Sequence, residues 1–260
     1  MTLSDELLLR FSRQLLVPSF DLAGQEKLAD ARILIVGCGG LGTPAAMYLA
    51  AAGVGGLVLV DDDRVDLSNL PRQVAYGESD VSVLKVEALA HRLRAMNAGM
   101  ELSIHACRVE SSSVDKLMEG VDLVIDATDN REARLLIDSA SARLGIPWFM
   151  GAAVQLAGQN IAFSPTRTEG CYHCLSPDQA SMGGSCGELG ILGPVVGVVA
   201  LNQVLDALGF LTGCKPVPWG VVRFRDFSRD EQFHLSIEPR SDCEICGFKA
   251  VRGSGDIRES

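Results

Sequence analysis

Two pairs of cysteines carry the most specific chemistry in this chain: Cys171-Tyr172-His173-Cys174 and Cys243-Glu244-Ile245-Cys246. Each pair is separated by two residues and lies in a polar stretch, the spacing of two zinc knuckles that contribute two thiolates each to a tetrahedral ion. Four thiolates leave no coordination position open, so a zinc held there is structural. A second constellation is the turn Gly37-Cys38-Gly39-Gly40-Leu41-Gly42, which follows the apolar run Ile33–Val36. Glycines let a backbone approach a ligand closely, and the free N–H groups at the start of the next helix attract an anion, so a nucleotide is the expected ligand. Asp61 stands about twenty residues past the turn, at the end of the next apolar run, where a carboxylate can accept a hydrogen bond from a ribose hydroxyl. Arg72 can fork onto phosphate oxygens, and Lys85 supplies a compact positive charge. Beside an anion-binding turn, these two cations suggest handling of a triphosphate rather than hydride transfer. Asp62 and Asp66 are expected to be surface charges. By spacing alone, Arg13 is a solvated charge on an amphipathic helix.

Positioning these groups requires a sheet. Ser4 is a candidate N-cap for an opening helix with Leu7, Leu8, Phe11 and Leu15 at helical spacing, and a short second helix is expected over Gln25–Leu28. From Ala31 onward, strand and helix alternate: strands at Ile33–Val36, Leu57–Val60, Leu102–Ala106, Leu123–Ala127 and Trp148–Ala152, with helices after Gly42, from about Val83 to Met96 and from about Arg131 to Leu144. Such a series folds as an α/β, Rossmann-like, largely parallel twisted sheet with the ligand at the carboxyl ends of its strands. Asp61, Asp126, Thr128 and Asp129 all fall at or just after a strand end. Beyond Gly158 the texture loosens, and Asp178–Gly187 has few apolar residues. Pro194–Leu211 then reads as a buried helix, and Val221–Phe227 and Gln232–Ile237 as two antiparallel strands. The expected organisation is an N-terminal helical segment (1–30), a nucleotide-binding domain (31–247) that includes the zinc knuckles and a mobile crossover loop at about 175–190, and a flexible tail (248–260).

Composition narrows the partners. With 47% hydrophobic and 22% charged residues over 260 positions, the chain can bury a substantial core. A net charge of -10 argues against surfaces built for nucleic-acid phosphates or anionic lipid. The amino terminus lacks a basic region followed by an apolar core, and Ile191–Leu211 is interrupted by Asn202, Gln203 and Asp206, so neither a secretory signal nor a membrane span is expected. The expected location is the cytoplasm, where eight cysteines favour metal over disulfides. Cys38, Cys107 and Cys214 are expected to be ordinary buried thiols.

Taken in order, Arg13-Gln14, the glycine turn, Asp61 with Asp63, Ser68-Asn69-Leu70-Pro71-Arg72-Gln73, Lys85, Thr128-Asp129-Asn130, Gly151-Ala152-Ala153 and both cysteine pairs resemble the ThiF/MoeB/HesA family. These are the bacterial relatives of the ubiquitin-activating enzymes, and the resemblance covers nearly the whole chain. It implies ATP-dependent adenylation of the C-terminal glycine of a small ubiquitin-like sulfur-carrier protein ending in Gly-Gly, with release of pyrophosphate, in molybdopterin, thiamine or related sulfur biosynthesis. Carried over, it places ATP against Gly40, Asp61, Asn69, Arg72 and Lys85, with Gly37, Gly39, Gly42, Asp63 and Gln73 in the surrounding cradle. Asp129 would hold magnesium, with Asn130 beside it. Arg13 would act on the nucleotide of a neighbouring subunit, which implies a homodimer. Cys186 aligns with a cysteine that in some members is joined to the carrier or carries sulfur. Two departures stand out. Ser82-Val83-Leu84 precedes Lys85 where the family often has a glycine and a proline, so the lysine loop is expected to differ in shape. No sulfurtransferase domain follows the second cysteine pair, so sulfur is expected from a separate donor protein. The competing readings are an NAD-dependent oxidoreductase, favoured by the glycine turn and Asp61 alone, adenylation of a peptide or other non-carrier substrate, and a non-catalytic binding module.

Overall fold

A computed structural model of the protein describes residues 4–175 and 190–247. Two of the first three strands carry continuous β-branched and leucine-rich runs, as strands buried on both faces must, and the third, at the sheet edge, is more polar and partly exposed. They are β1 (Arg32–Val36), β2 (Gly56–Val60) and β3 (Glu101–His105), joined by β4 (Leu123–Asp126) and β5 (Trp148–Val154) into a parallel sheet. Three antiparallel strands extend it: β6 (Ala157–Phe163), β7 (Val221–Asp226) and β8 (Glu231–Ser236). The spatial order is β3-β2-β1-β4-β5-β6-β7-β8.

The period-two alternation of each strand sends its residues into two cores. On one side, Ile33, Ile35, Leu57, Leu59, Ile125 and Phe149 pack beneath α3 (Asp21–Asp30), α4 (Gly42–Ala52), α5 (Lys85–Met96) and a long helix over Gly193–Thr212. On the other, Leu34, Val36, Val58, Val124, Trp148 and Phe163 meet α6 (Val114–Leu117), α7 (Arg131–Leu144), α8 (Tyr172–Leu175) and the four knuckle cysteines. The helix over Gly193–Thr212, here α9, is long and apolar enough to cross a membrane. Its Val195, Val199, Gln203, Val204 and Ala207 are instead buried inside the protein, so it is a core helix.

Several boundaries differ from the sequence expectation. The opening helix is broken into α1 (Asp5–Arg10) and α2 (Ser12–Leu15) at Phe11, whose ring is buried. α3 is longer than Gln25–Leu28 because the Asp21 carboxylate accepts from the Gly24 N–H at 2.9 Å and starts the helix earlier. Strand β6 is not apparent in the sequence, since Ala-Gly-Gln-Asn has neither β-branched residues nor apolar alternation. Tertiary contacts supply what propensity lacks. Val199 approaches so closely that a Cβ at position 158 would lie 2.3 Å from its Cγ2, and the buried Asn160 donates to the Val199 carbonyl at 2.9 Å. Cys107 and Cys214 are half-buried rather than buried.

In the loop before Lys85, Ser82 and Leu84 take backbone angles that glycine and proline favour. Ser82 has φ 74°, and Leu84 sits at φ -60°, ψ 133°, values a proline adopts. A left-handed non-glycine residue costs about 1 kcal/mol or more, and a glycine there loses part of that gain to its greater unfolded freedom. Ser82→Gly is therefore expected to raise stability in urea denaturation by about 0.5–1 kcal/mol.

Candidate functional site

The glycine turn joins β1 to α4, and its glycines are dictated by packing. A Cβ at Gly42 would lie 1.8 Å from the Gly37 carbonyl oxygen, and one at Gly40 would lie 2.8 Å from Val196 Cγ1 and 3.2 Å from the Arg72 carbonyl oxygen. The turn is thus pressed against the Arg72 loop on one side and the first turn of α9 on another. Thr43 closes it from within, donating from both its N–H (3.0 Å) and its hydroxyl (2.8 Å) to the Gly39 carbonyl.

Asp61 lies at the carboxyl end of β2 and reaches back to the turn. Its Oδ2 accepts from the Cys38 N–H at 2.6 Å and its Oδ1 from the Asp63 N–H at 2.8 Å. Burial pushes its carboxyl up, and the nearby Lys85 ammonium works in the opposite direction. The Lys85 Nζ donates to Asp63 Oδ2 at 2.8 Å, and its side chain is only 8% exposed, so this cation is held in place rather than solvated. Arg72 is half-buried, with its guanidinium donating to the Ser68 carbonyl at 3.0 Å. The Asn69 carbonyl receives the N–H groups of Arg72 and Gln73, which makes it the pivot of that loop. Gln73 is buried beside Gly39, and its Oε1 has no partner among the described residues.

The end of β4 completes the ring. A Cβ at Gly37 would lie 2.8 Å from the Ala127 carbonyl oxygen and 3.3 Å from the Thr128 nitrogen, so the Thr128–Asn130 loop abuts the turn. Asp129 is exposed there. Asn130 has a different duty: its Oδ1 accepts from the Ala133 N–H at 2.8 Å, making it the N-cap of α7. Two further residues fix this loop: Asp126, already marked by its place at a strand end, and Arg134, which nothing in the sequence singles out. The fully buried Asp126 accepts from the Thr128 N–H and hydroxyl at 2.8 and 2.7 Å, and Arg134 donates to the Thr128 carbonyl at 2.7 Å. Burial also pushes the Asp126 carboxyl up, countered by Arg134. An acid at a strand end is a visible signal for Asp126; Arg134 looks like any helical arginine. Asp62, as expected, is exposed and pairs with Arg108 at 2.8 Å. Asp66 is exposed and caps its own turn by accepting from the Ser68 N–H at 2.8 Å.

Asp61, Asp63, Arg72, Lys85 and the Asp129 loop are therefore gathered around the glycine turn. Arg13 is not. Gln14 donates to the Ala52 carbonyl at 3.0 Å, and the Phe11 ring lies against Gly53, so α2 sits at the carboxyl end of α4. The glycine turn is at the opposite end of that helix, about 16 Å away along its axis. Arg13 is exposed and has no partner among the described residues. Cys186 and most of the crossover loop lie outside the described residues, as does the 248–260 tail.

The cysteine pairs meet on the α7 side of the sheet. Sulfur separations are 3.7 Å for Cys171–Cys174, 3.5 Å for Cys171–Cys243 and 3.3 Å for Cys174–Cys246, and all four residues are buried. These distances are far too long for disulfides and close to the edge of about 3.8 Å of a tetrahedron with zinc–sulfur bonds of about 2.3 Å. Burial pushes the Cys171 thiol up and Cys246 up to about 12. Cys243 is buried as well, but the N–H groups of Cys246 and Ile245 point at its sulfur and hold it down to about 7. N–H groups aimed at a thiolate suit a knuckle that binds metal. Behind the cluster, the buried Asp138 accepts from His173 Nδ1 at 2.8 Å and Trp148 Nε1 at 3.3 Å and faces the buried Arg167 at 3.3 Å, tying the first knuckle to α7 and β5.

Residues 11–245 match the ThiF family. The chain is 39% identical over 245 residues to the sulfur carrier protein ThiS adenylyltransferase of Escherichia coli K12, covering 94% of this chain and 97% of that protein. It is 35% identical over 245 residues to the molybdopterin-synthase adenylyltransferase of the same organism, covering 94% and 98%. Among solved structures, Escherichia coli MccB in complex with MccA-N7isoASN has the same fold, with a TM-score of 0.82 at 22% identity over 95% of this chain and 76% of that one. With residues 11–245 of its 260 inside the family match and relatives at 39% and 35% identity over nearly their full length, this chain belongs to the ThiF family.

Proposed function

We propose that this protein is a cytoplasmic adenylyltransferase that uses ATP to activate the C-terminal glycine of a small ubiquitin-like sulfur-carrier protein. The observation that carries the reading is the ring of groups around the glycine turn: two cations, Arg72 and Lys85, beside an anion-binding backbone, with an exposed Asp129 opposite. Close relatives over nearly the full length are named as adenylyltransferases of the carrier ThiS and of molybdopterin synthase.

The chemistry follows from charge. A carrier carboxylate is already ionised at neutral pH, so its attack on the α-phosphate needs no general base. The nucleophile must approach a strongly negative triphosphate, and Arg72 and Lys85 stabilise the charge that shifts onto the departing pyrophosphate. The products are an acyl adenylate on the carrier and pyrophosphate. Asp61 orients the ribose, and Asn69 and Gln73 shape the Arg72 loop. A magnesium ion, when bound through Asp129, supplies further positive charge to the phosphates. Asp63 is the counter-charge that keeps Lys85 aimed before the nucleotide arrives. Zinc held by Cys171, Cys174, Cys243 and Cys246 fastens the segment after β8 to α8 and has no open position for chemistry.

Arg13 fits a homodimer, because it cannot reach its own site and stands exposed on α2. The face that would receive a second copy includes Val198 and Leu205, 37% and 52% exposed on α9, and Tyr48, 56% exposed on α4. Sulfur comes from a separate donor protein, and the Cys186 thiolate can capture the acyl adenylate by attacking its carbonyl carbon, forming a thioester as the acyl–phosphate bond breaks and AMP leaves.

Intact-mass spectrometry tests the reading. A carrier ending in Gly-Gly, incubated with the protein, ATP and magnesium, is expected to gain one adenylyl group on its last residue. A carrier that stays unmodified while the protein binds NAD and ignores ATP would favour the oxidoreductase reading instead.

A further inference from the structure

Tyr76 is buried, and its phenol lies between two carbonyls from different parts of the nucleotide site: 2.7 Å from Cys38 in the glycine turn and 3.1 Å from Lys85 at the first turn of α5. The backbone holding it is fixed as well, since the Tyr76 N–H donates to the Gln73 carbonyl at 3.0 Å. One phenolic proton serves both acceptors, with the shorter contact to Cys38. Burial pushes the Tyr76 hydroxyl well above its ordinary range, so it remains a donor throughout the working pH range.

The Cys38 carbonyl and the Gly39 N–H belong to the same peptide unit. That unit is planar and trans, so its carbonyl and its N–H point in opposite directions. A donor that holds the carbonyl toward the buried side therefore aims the Gly39 N–H toward the partly exposed side of the turn. Among the described residues, no acceptor takes that N–H. The preceding peptide is pinned too, because the Cys38 N–H is committed to Asp61. Both peptide planes flanking Cys38 are thus set by side chains, one ribose-side and one from the Arg72 loop.

We propose that Tyr76 is a positioning residue of the nucleotide site: its hydroxyl orients the Gly39 N–H as a phosphate donor and fixes the glycine turn at a set distance from the lysine-bearing end of α5. The inference rests on the ATP reading above and assigns a role within it that the motif residues do not carry. Removing the hydroxyl leaves the ring in the core but frees the Cys38–Gly39 peptide to tilt. The loss falls on phosphate binding and spares the nucleoside.

Isothermal titration of the full chain with α,β-methylene ATP and with adenosine reads this out. Tyr76→Phe is expected to weaken the ATP analogue about tenfold and to change adenosine affinity less than about twofold. Equal affinities in the two proteins would overturn the role, and so would equal weakening of both ligands, which a general loosening of the fold produces. A wild-type protein that fails to bind the analogue would remove the ATP reading and this role with it, a result distinguishable from the loss of the role alone. Should Tyr76→Phe not fold, 3-fluorotyrosine labelling keeps the test open, because the chain has three tyrosines and Tyr48→Phe and Tyr172→Phe assign the Tyr76 resonance by elimination. That resonance is expected to shift with the analogue and not with adenosine; a resonance that ignores the analogue would overturn the proposal.

Discussion

An Asp129→Ala protein is expected to fold normally and to lose carrier-dependent exchange of pyrophosphate into ATP by about 10²–10³-fold or more. The exposed Asp129 holds nothing in the described structure together, so its carboxylate is free for a cation on the phosphates. Its neighbour gives the contrast. Asn130→Ala removes the N-cap of α7 and is expected to cost about 1 kcal/mol of stability with a much smaller effect on exchange. Arg72→Ala should resemble Asp129→Ala, because among the described residues its guanidinium is bound to the exposed-loop Ser68 carbonyl alone and can turn to a phosphate without leaving a buried group unpaired. Urea melts run beside the exchange assay separate the two effects. Full exchange by a folded Asp129→Ala protein would remove the role given to that carboxylate.

The second large effect concerns the cysteines. Removing zinc, or replacing Cys174 with Ser, is expected to lower stability by roughly 5–10 kcal/mol, since metal binding at such sites is itself folding free energy. Four buried thiols without metal leave the second knuckle with little to hold it to α8, while β8, exposed along its length, keeps its ladder to β7 at the sheet edge. The sign with pH is fixed by the ligands. Zinc binds thiolates, so protons compete for the sulfurs and zinc retention falls as pH falls. Metal analysis after dialysis at stepped pH, paired with thermal denaturation, checks both statements. A metal-free protein as stable as the metal-loaded one would show that the four cysteines are only a packing cluster.

Much of this was legible in the chain because it is written locally. The buried parallel strands announce themselves as apolar runs, and Arg131–Leu144 is read from sequence at both ends because Asn130 caps it and Gly145 stops it in a left-handed conformation. The paired cysteines and the glycine turn carry their meaning in spacing alone. What stayed hidden depends on long-range contacts. β6 forms because Val199 and Asn160 pair it with α9, not because its residues prefer a strand. Tyr76 and Arg134 matter through what they touch thirty-eight and six residues away, Cys38 and Thr128, and no pattern in the sequence marks those contacts. The lysine loop taught a related lesson: Ser82 and Leu84 take backbone angles that glycine and proline favour, which their identities disguise. The family resemblance assigns Arg13 to a neighbouring subunit's nucleotide, and Phe11 and Gln14 give the physical reason it cannot serve its own, by placing α2 at the far end of α4.

The most direct test of the adenylyltransferase reading is exchange of labelled pyrophosphate into ATP with a small carrier protein supplied in two forms, one ending in Gly-Gly and one lacking the final glycine. Exchange is expected with the first, in the presence of ATP and magnesium, and is expected to vanish with the second. Exchange that proceeds equally with either form, or no exchange with a carrier that binds the protein, would contradict the conclusion that this site activates a carrier's terminal carboxylate.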